Sequence, residues 1–309
     1  MPSPKRPPSG PSTPARRSTH TRRTQSSPRA TQPARSTADA GSKPASAPKP
    51  LPEAQATAEA KRPAILVTGA SRGIGREIAR QLAGRGARIA VHCHANRRAA
   101  EEVAASLPGS GHAVFAGDMA DAAAVAALWT AVTAHFGRVD VVINNAAAHG
   151  EHPPLTTDYE SWRDAWRRIL ATNLIGPADL CYLASRAMAA SGGGRIVNIS
   201  SRGAFRGEPD SPAYGASKAG LNSLSQSFAK ALAPKGVLVY ALAPGWVETE
   251  MAAPLLTGPR GDDIRSQHPL GRLNQPEEVA RAAVFCALDA PAAMTGAILD
   301  INGSSYLRT

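Results

Sequence analysis

Cysteine is scarce: only Cys93, Cys181 and Cys286 occur among 309 residues, and no two form a C-x-x-C pair. Isolated thiols in odd number argue against a disulfide framework and a structural zinc site. They fit a reducing compartment, and a cytoplasmic location is expected. Long hydrophobic runs are also missing; no stretch of eighteen apolar residues exists, so no membrane span is expected. Acid is nearly absent from the start of the chain. Residues 1–62 hold 12 Lys/Arg against 3 Asp/Glu, a net charge of +9, whereas residues 63–309 hold 23 against 21, a net of +2. The overall +11 therefore belongs to a tail rather than to a folded binding face.

That tail is Pro, Ser, Thr, Ala and Arg with almost no large apolar residue. It cannot bury enough surface to offset its ordering entropy, so residues 1–62 are expected to be disordered. An inert, solvated extension is the preferred reading. An arm touching nucleic acid or another polyanion and an organellar transit peptide stay open. With no apolar h-region, a secretory signal is not expected.

From Pro63 the pattern changes. Short apolar runs such as "AILVTG", "ARIAVHC", "HAVFAGD", "VDVVINNA", "GRIVNISS", "GVLVYALAPG" and "TGAILDING" alternate with helical stretches. One of these, from about Asp158 to Ala190, is unusually long. Near-continuous apolar strands between helices predict a parallel sheet covered on both faces. There is no internal repeat. One doubly wound α/β domain over residues 63–309 is expected, with ligands beyond the carboxyl ends of the strands.

Two stretches carry chemistry. "TGASRGIG", Thr68 to Gly75, follows the first strand and opens a helix. Gly69 allows a tight turn, and Gly73 allows backbone to approach a pyrophosphate at the helix N-terminus. "SPAYGASKAG" starts a second helix, with Ser211 as the expected N-cap and Pro212 in the first turn. Tyr214 and Lys218 then stand one turn apart on one helical face.

Together with "NNAA", "ATNLIG" and "PGWVET", in this order, these motifs resemble the short-chain dehydrogenase/reductase family, and in general terms its 3-oxoacyl thioester reductases. The resemblance covers about residues 63–309. It implies a single Rossmann-type domain with a seven-stranded parallel sheet, and an enzyme exchanging hydride between a nicotinamide cofactor and a small carbonyl or alcohol. Tyr214 is then the general acid/base. A free phenol titrates near 10, so a cation at i+4 is expected to lower it toward neutrality. Lys218 also bonds the nicotinamide ribose. Ser201, thirteen residues before Tyr214, polarises the substrate carbonyl, with Ser200 as its neighbouring rival. Asn173 holds a water that relays protons; the alternative is a helix residue pointing to solvent. The resemblance further assigns cofactor contacts to Gly69, Ser71, Arg72, Gly73, Ile74, Gly75, His94, Asp118, Met119, Asn145, Ala146, Pro244, Val247 and Thr249. Ala147 replaces the family's usual glycine, which is tolerable if its φ is negative.

An acid at the end of the second strand would mark an NAD preference. Cys93 stands there, and Arg72 matches the basic residue of NADP-preferring relatives. NADP(H) is therefore expected over NAD(H). The pairs in "HCH" and "HGEH" are not expected to bind metal. Trp162 and Trp166 are expected to pack in the core or between subunits of a homodimer or homotetramer. A non-catalytic NADP-binding sensor whose tail binds polyanions is the alternative function.

Overall fold

The computed structural model describes residues 62–250 and 252–308. The tail, apart from Arg62, lies outside the described residues. The elements run β1 (Ala64–Val67), α1 (Gly73–Gly84), β2 (Arg88–Cys93), α2 (Arg97–Ser106), β3 (Ala113–Ala116), α3 (Ala122–Phe136), β4 (Val141–Asn144) and α4 (Tyr159–Leu170). A single π-helical turn, Ala171–Ile175, joins α4 to α5 (Gly176–Ala190). Then come β5 (Gly194–Ile199), α6 (Gly203–Arg206), α7 (Pro212–Leu232), β6 (Val237–Pro244), α8 (Ala253–Thr257), α9 (Gly261–Ser266), α10 (Pro276–Val284) and β7 (Ile298–Ile301).

The sheet has seven parallel strands in the order β3-β2-β1-β4-β5-β6-β7. All four residues of β1 are buried, as coverage of both faces requires. Ile65 and Val67 face a layer containing Ile78 and Leu82 of α1 and Ala283 of α10. Ala64 and Leu66 face the opposite layer, built from Val132 of α3, Leu180 of α5 and Ala229 of α7. Alternate burial of period two thus builds two cores on one sheet.

Except for β2, the strands stop one or two residues before the apolar runs do. β1 ends at Val67 because the chain turns there into the glycine loop, although the Thr68 N–H still donates to the Ile143 carbonyl at 3.0 Å. The reversal of strand order lies between β1 and β4, and the site opens beyond that crevice.

Candidate active site

The β1–α1 loop is held from β4. Thr68 Oγ1 accepts the backbone N–H groups of Asn145 (2.9 Å) and Ala146 (3.0 Å). In return the Asn145 amide donates to the carbonyls of Thr68 (2.9 Å) and Gly69 (3.1 Å). Asn145 therefore shapes the loop rather than only lining it. Gly69 and Gly73 have φ of +63° and +54°, open to glycine without strain. A Cβ on Gly75 would lie 2.3 Å from the Gly69 carbonyl oxygen. No side chain caps α1 and no acid lies in its first turn. Its free N–H groups and dipole thus suit a dinucleotide pyrophosphate. Ser304 is the only non-glycine of positive φ among the described residues, so Ala147 carries its methyl at negative φ.

At the other end of the loop, His92 accepts the Gly69 N–H at Nδ1 (3.1 Å), and its Nε2 donates to the Gly117 carbonyl (3.0 Å). Burial pushes its pKa down to about 4, so it is a neutral strut. Cys93, read from sequence as the ribose position, is turned into the core; His94 is the residue that faces the cavity. His94 lies 3.6 Å from Asp118, whose carboxylate also accepts the Ala120 N–H at 2.9 Å. Arg97 and Arg98 are paired with Glu101 and Glu102 along α2. Arg72 is exposed at the cavity rim, and among the described residues it meets no carboxylate.

The opposite end of the cavity is assembled from β5, the π turn and α7. Asn173 is fully buried, not solvent-facing. Its amide donates to the Ala148 carbonyl (2.9 Å) and Ser217 Oγ (3.1 Å), while its Oδ1 accepts the Ala148 N–H (2.7 Å). The wide turn gives an asparagine a place that a regular helix does not, and such turns recur at functional sites. Both serines line the cavity, but Ser200 is buried and donates to the Lys218 carbonyl, whereas Ser201 is partly exposed there. The Lys218 ammonium donates to the Ile199 carbonyl at 2.8 Å and lies 5.7 Å from the centre of the Tyr214 ring.

The expected lowering of the Tyr214 pKa does not occur. Burial pushes it up to about 12, opposed by a hydrogen bond with Ser201 and reinforced by the charge of Glu208. Burial also brings Lys218 down to about 8. Both groups share one desolvated cleft, and the cation lies over the ring. At neutral pH the phenol is a protonated acid.

Ser211 occupies the N-cap position of α7 but does not cap it; its hydroxyl donates to the Gly150 carbonyl at 3.0 Å. His152 takes that role instead. Its Nε2 accepts the Ala213 N–H at 3.1 Å, its Nδ1 lies 2.8 Å from the Gly150 carbonyl, and its ring meets Trp162 edge to face. Both nitrogens of this histidine are engaged in holding α7. We expect His152→Ala to cost about 1–2 kcal/mol, read as a lower melting temperature and urea midpoint. An unchanged midpoint would remove the capping role.

These elements enclose a cavity of about 550 Å³. Its walls bring together every cofactor position named from the sequence, from Gly69 and Ser71 through Ile74, Met119 and Pro244 to Val247 and Thr249. Ser201, Tyr214 and Lys218 join them; Asn173 lies behind the wall. Thr249 sits over Gly73, where a Cβ would be 3.4 Å from its methyl. Arg260, ahead of α9, bonds Glu151 (2.9 Å) and Asp210 (2.8 Å), tying the segment between β6 and α10 to two loops around the mouth. Sequence reasoning missed His149, Arg168, Glu208 and Trp246 in the lining. Position was the signal for His149 and Trp246, in the loops that follow β4 and β6; nothing marked Arg168 or Glu208.

A dinucleotide cradle that runs into a serine, a tyrosine and a lysine defines a nicotinamide-dependent oxidoreductase on a Rossmann-type sheet. The chain belongs to the short-chain dehydrogenase/reductase family. A family model described as enoyl-(acyl carrier protein) reductase matches residues 69–303. D-threitol dehydrogenase of Mycolicibacterium smegmatis is 41% identical over 245 residues, 79% of this chain and 92% of that protein. The 3-oxoacyl-[acyl-carrier-protein] reductase of Escherichia coli is 36% identical, over 78% of this chain and 96% of that protein. A crystal structure from Beutenbergia cavernae, of a proposed NAD(P)-dependent gluconate 5-dehydrogenase with NADP bound at low occupancy, superposes with a TM-score of 0.71. It is 34% identical over 79% of this chain and 96% of that one.

Proposed function

We infer that the chain is an NADP(H)-dependent reductase of a small ketone or aldehyde, working in reverse as an alcohol dehydrogenase. The observation that carries this is the convergence of Ser201, Tyr214 and Lys218 on the cavity that begins at the glycine loop. Gly69, Ser71, Gly73, Ile74 and Gly75 would hold the pyrophosphate, and Asp118 and Met119 the adenine end. Asn145, Ala146, Pro244, Val247 and Thr249 would frame the nicotinamide half, with Lys218 on its ribose. The bound cofactor supplies the hydride. Ser201 donates a hydrogen bond to the carbonyl oxygen, where negative charge develops. Tyr214 gives that oxygen its proton. Asn173 keeps Ala148 and Ser217 in place around them. A carbonyl panel followed by NADPH oxidation tests the reading; no turnover of any member would defeat it.

Arg72 and the absence of an acid at Cys93 support the cofactor choice. NADPH should bind at least about tenfold tighter than NADH, a difference of roughly 1.4 kcal/mol. Fluorescence titration of both cofactors measures this. Equal affinities, or a preference that survives Arg72→Ala, would reverse the assignment.

Residues 63–309 form the catalytic unit in this reading, and the tail is inert. A dimer or tetramer is supported by the exposed Tyr159, Ile175 and Tyr182 along α4, the π turn and α5. All three thiols are free and buried, which suits the cytoplasm. Among the described residues no helix is long and apolar enough to cross a membrane. A non-catalytic sensor has no use for an acid with a serine and a lysine arranged around it, so the enzyme is preferred.

A further inference from the structure

Glu208 has no part in the chemistry described so far, yet the fold makes room for it beside the acid. It follows α6 in the short passage to α7 and lines the cavity. A missing side chain at Gly203 creates its space, and Gly215 packs against its stem. A Cβ on Gly203, two residues beyond Ser201, would lie 2.4 Å from the Glu208 Oε1. A Cβ on Gly215, next to Tyr214, would lie 3.6 Å from both Cβ and Cγ of Glu208. The carboxylate is thus wedged between the serine end of β5 and the first turn of α7.

No protein donor meets it there. Among the described residues its oxygens accept no hydrogen bond, and the nearby guanidinium groups are engaged elsewhere. Arg202 donates to Gln267 at 2.8 Å and Arg206 to the same Oε1 at 3.0 Å. Arg260 is held by Glu151 and Asp210. Burial raises the Glu208 pKa, opposed by the charges of Arg206 and Arg202. A half-buried carboxylate that no protein group donates to keeps its acceptor sites open to a ligand in the cavity. Its position also makes ionisation of Tyr214 harder, so it is no aid to the acid–base step itself.

We propose that Glu208 is a specificity residue that accepts a hydrogen bond from a hydroxyl on the carbon next to the reacting one, so that the substrate class is vicinal diols and their α-hydroxy ketones. The assignment rests on the oxidoreductase reading and narrows it. With the reacting oxygen at Ser201 and Tyr214, the neighbouring oxygen of a diol would be met by Glu208, which packs against Gly203 and Gly215 close to both in the chain. An unadorned alkyl or acyl chain would leave the carboxylate desolvated and unpaired. His149, edge to face with the Tyr214 ring at 5.0 Å, adds a second polar wall at the same end.

The test uses the full chain with NADP⁺ and paired alcohols: cyclohexane-1,2-diol against cyclohexanol, and butane-2,3-diol against butan-2-ol. Wild-type kcat/KM should favour each diol by about tenfold or more, the scale of a hydrogen bond to a charged group. Glu208→Gln and Glu208→Ala should shrink that ratio by a similar factor. A wild-type ratio near one overturns the proposal without any variant. So does a ratio unchanged in both variants, which would make Glu208 merely structural. Preference for 2-aminocyclohexanol over the diol also overturns it, since the carboxylate would then serve a cation. Inactivity toward every alcohol and ketone, with NADPH bound, defeats the oxidoreductase reading and this proposal with it.

Discussion

Tyr214→Phe is expected to lower kcat for carbonyl reduction by about a thousandfold, while NADPH affinity and the melting temperature stay near wild type. The ring is kept, so its packing against His149 and beneath the Lys218 ammonium survives. Only the proton is lost. With its pKa pushed up to about 12 by burial, the wild-type phenol is protonated throughout the neutral range. Reduction should therefore hold a plateau as pH rises and fall only on the alkaline side. Alcohol oxidation needs the phenolate and should climb with pH over the same range. Single-turnover assays in both directions, across a pH series, separate these profiles. Full activity in the phenylalanine variant would assign the proton to another group.

Gly75→Ala should be the most damaging change in the cradle. The added carbon would lie 2.3 Å from the Gly69 carbonyl oxygen and 2.5 Å from the Asn145 amide nitrogen. Neither atom is the loose end of a side chain. Gly69 is fixed by the bond from its N–H to His92, and Asn145 by its bonds to Thr68 and Gly69. Overpacking against such atoms costs about 1–3 kcal/mol. We expect NADPH affinity to fall by about a hundredfold, matching the upper end of that range. Isothermal titration beside a thermal melt measures both. Wild-type affinity would mean that the loop can open without loss.

The fold was readable because each apolar run is short and bounded by glycine or a helix pattern. All seven strands fall inside the runs that predicted them. Their ends were less legible, since backbone bonds across the crevice, and not composition, decide where β1 or β3 stops. Ser211 misled for a related reason. A serine before proline is a good cap by type, but an imidazole 61 positions away in sequence reached the N–H of Ala213, and no local pattern reports this. Asn173 was visible as an oddity of propensity; the π turn that explains it was not. Glu208 was invisible because its placement depends on Gly203, which has no side chain to notice.

The bonds that shape the cradle are distant in the chain. Asn145 reaches Thr68 across 77 positions and Asn173 reaches Ser217 across 44. A growing polypeptide that has completed β1 and α1 therefore has a glycine loop but nothing to hold it. Closing such wide loops carries an entropic cost that is repaid only when β4 has docked. The cavity comes into being late, as a property of the finished topology. Any ligand it retains then acts as a staple on the completed fold, withdrawing molecules from the unfolded pool by mass action.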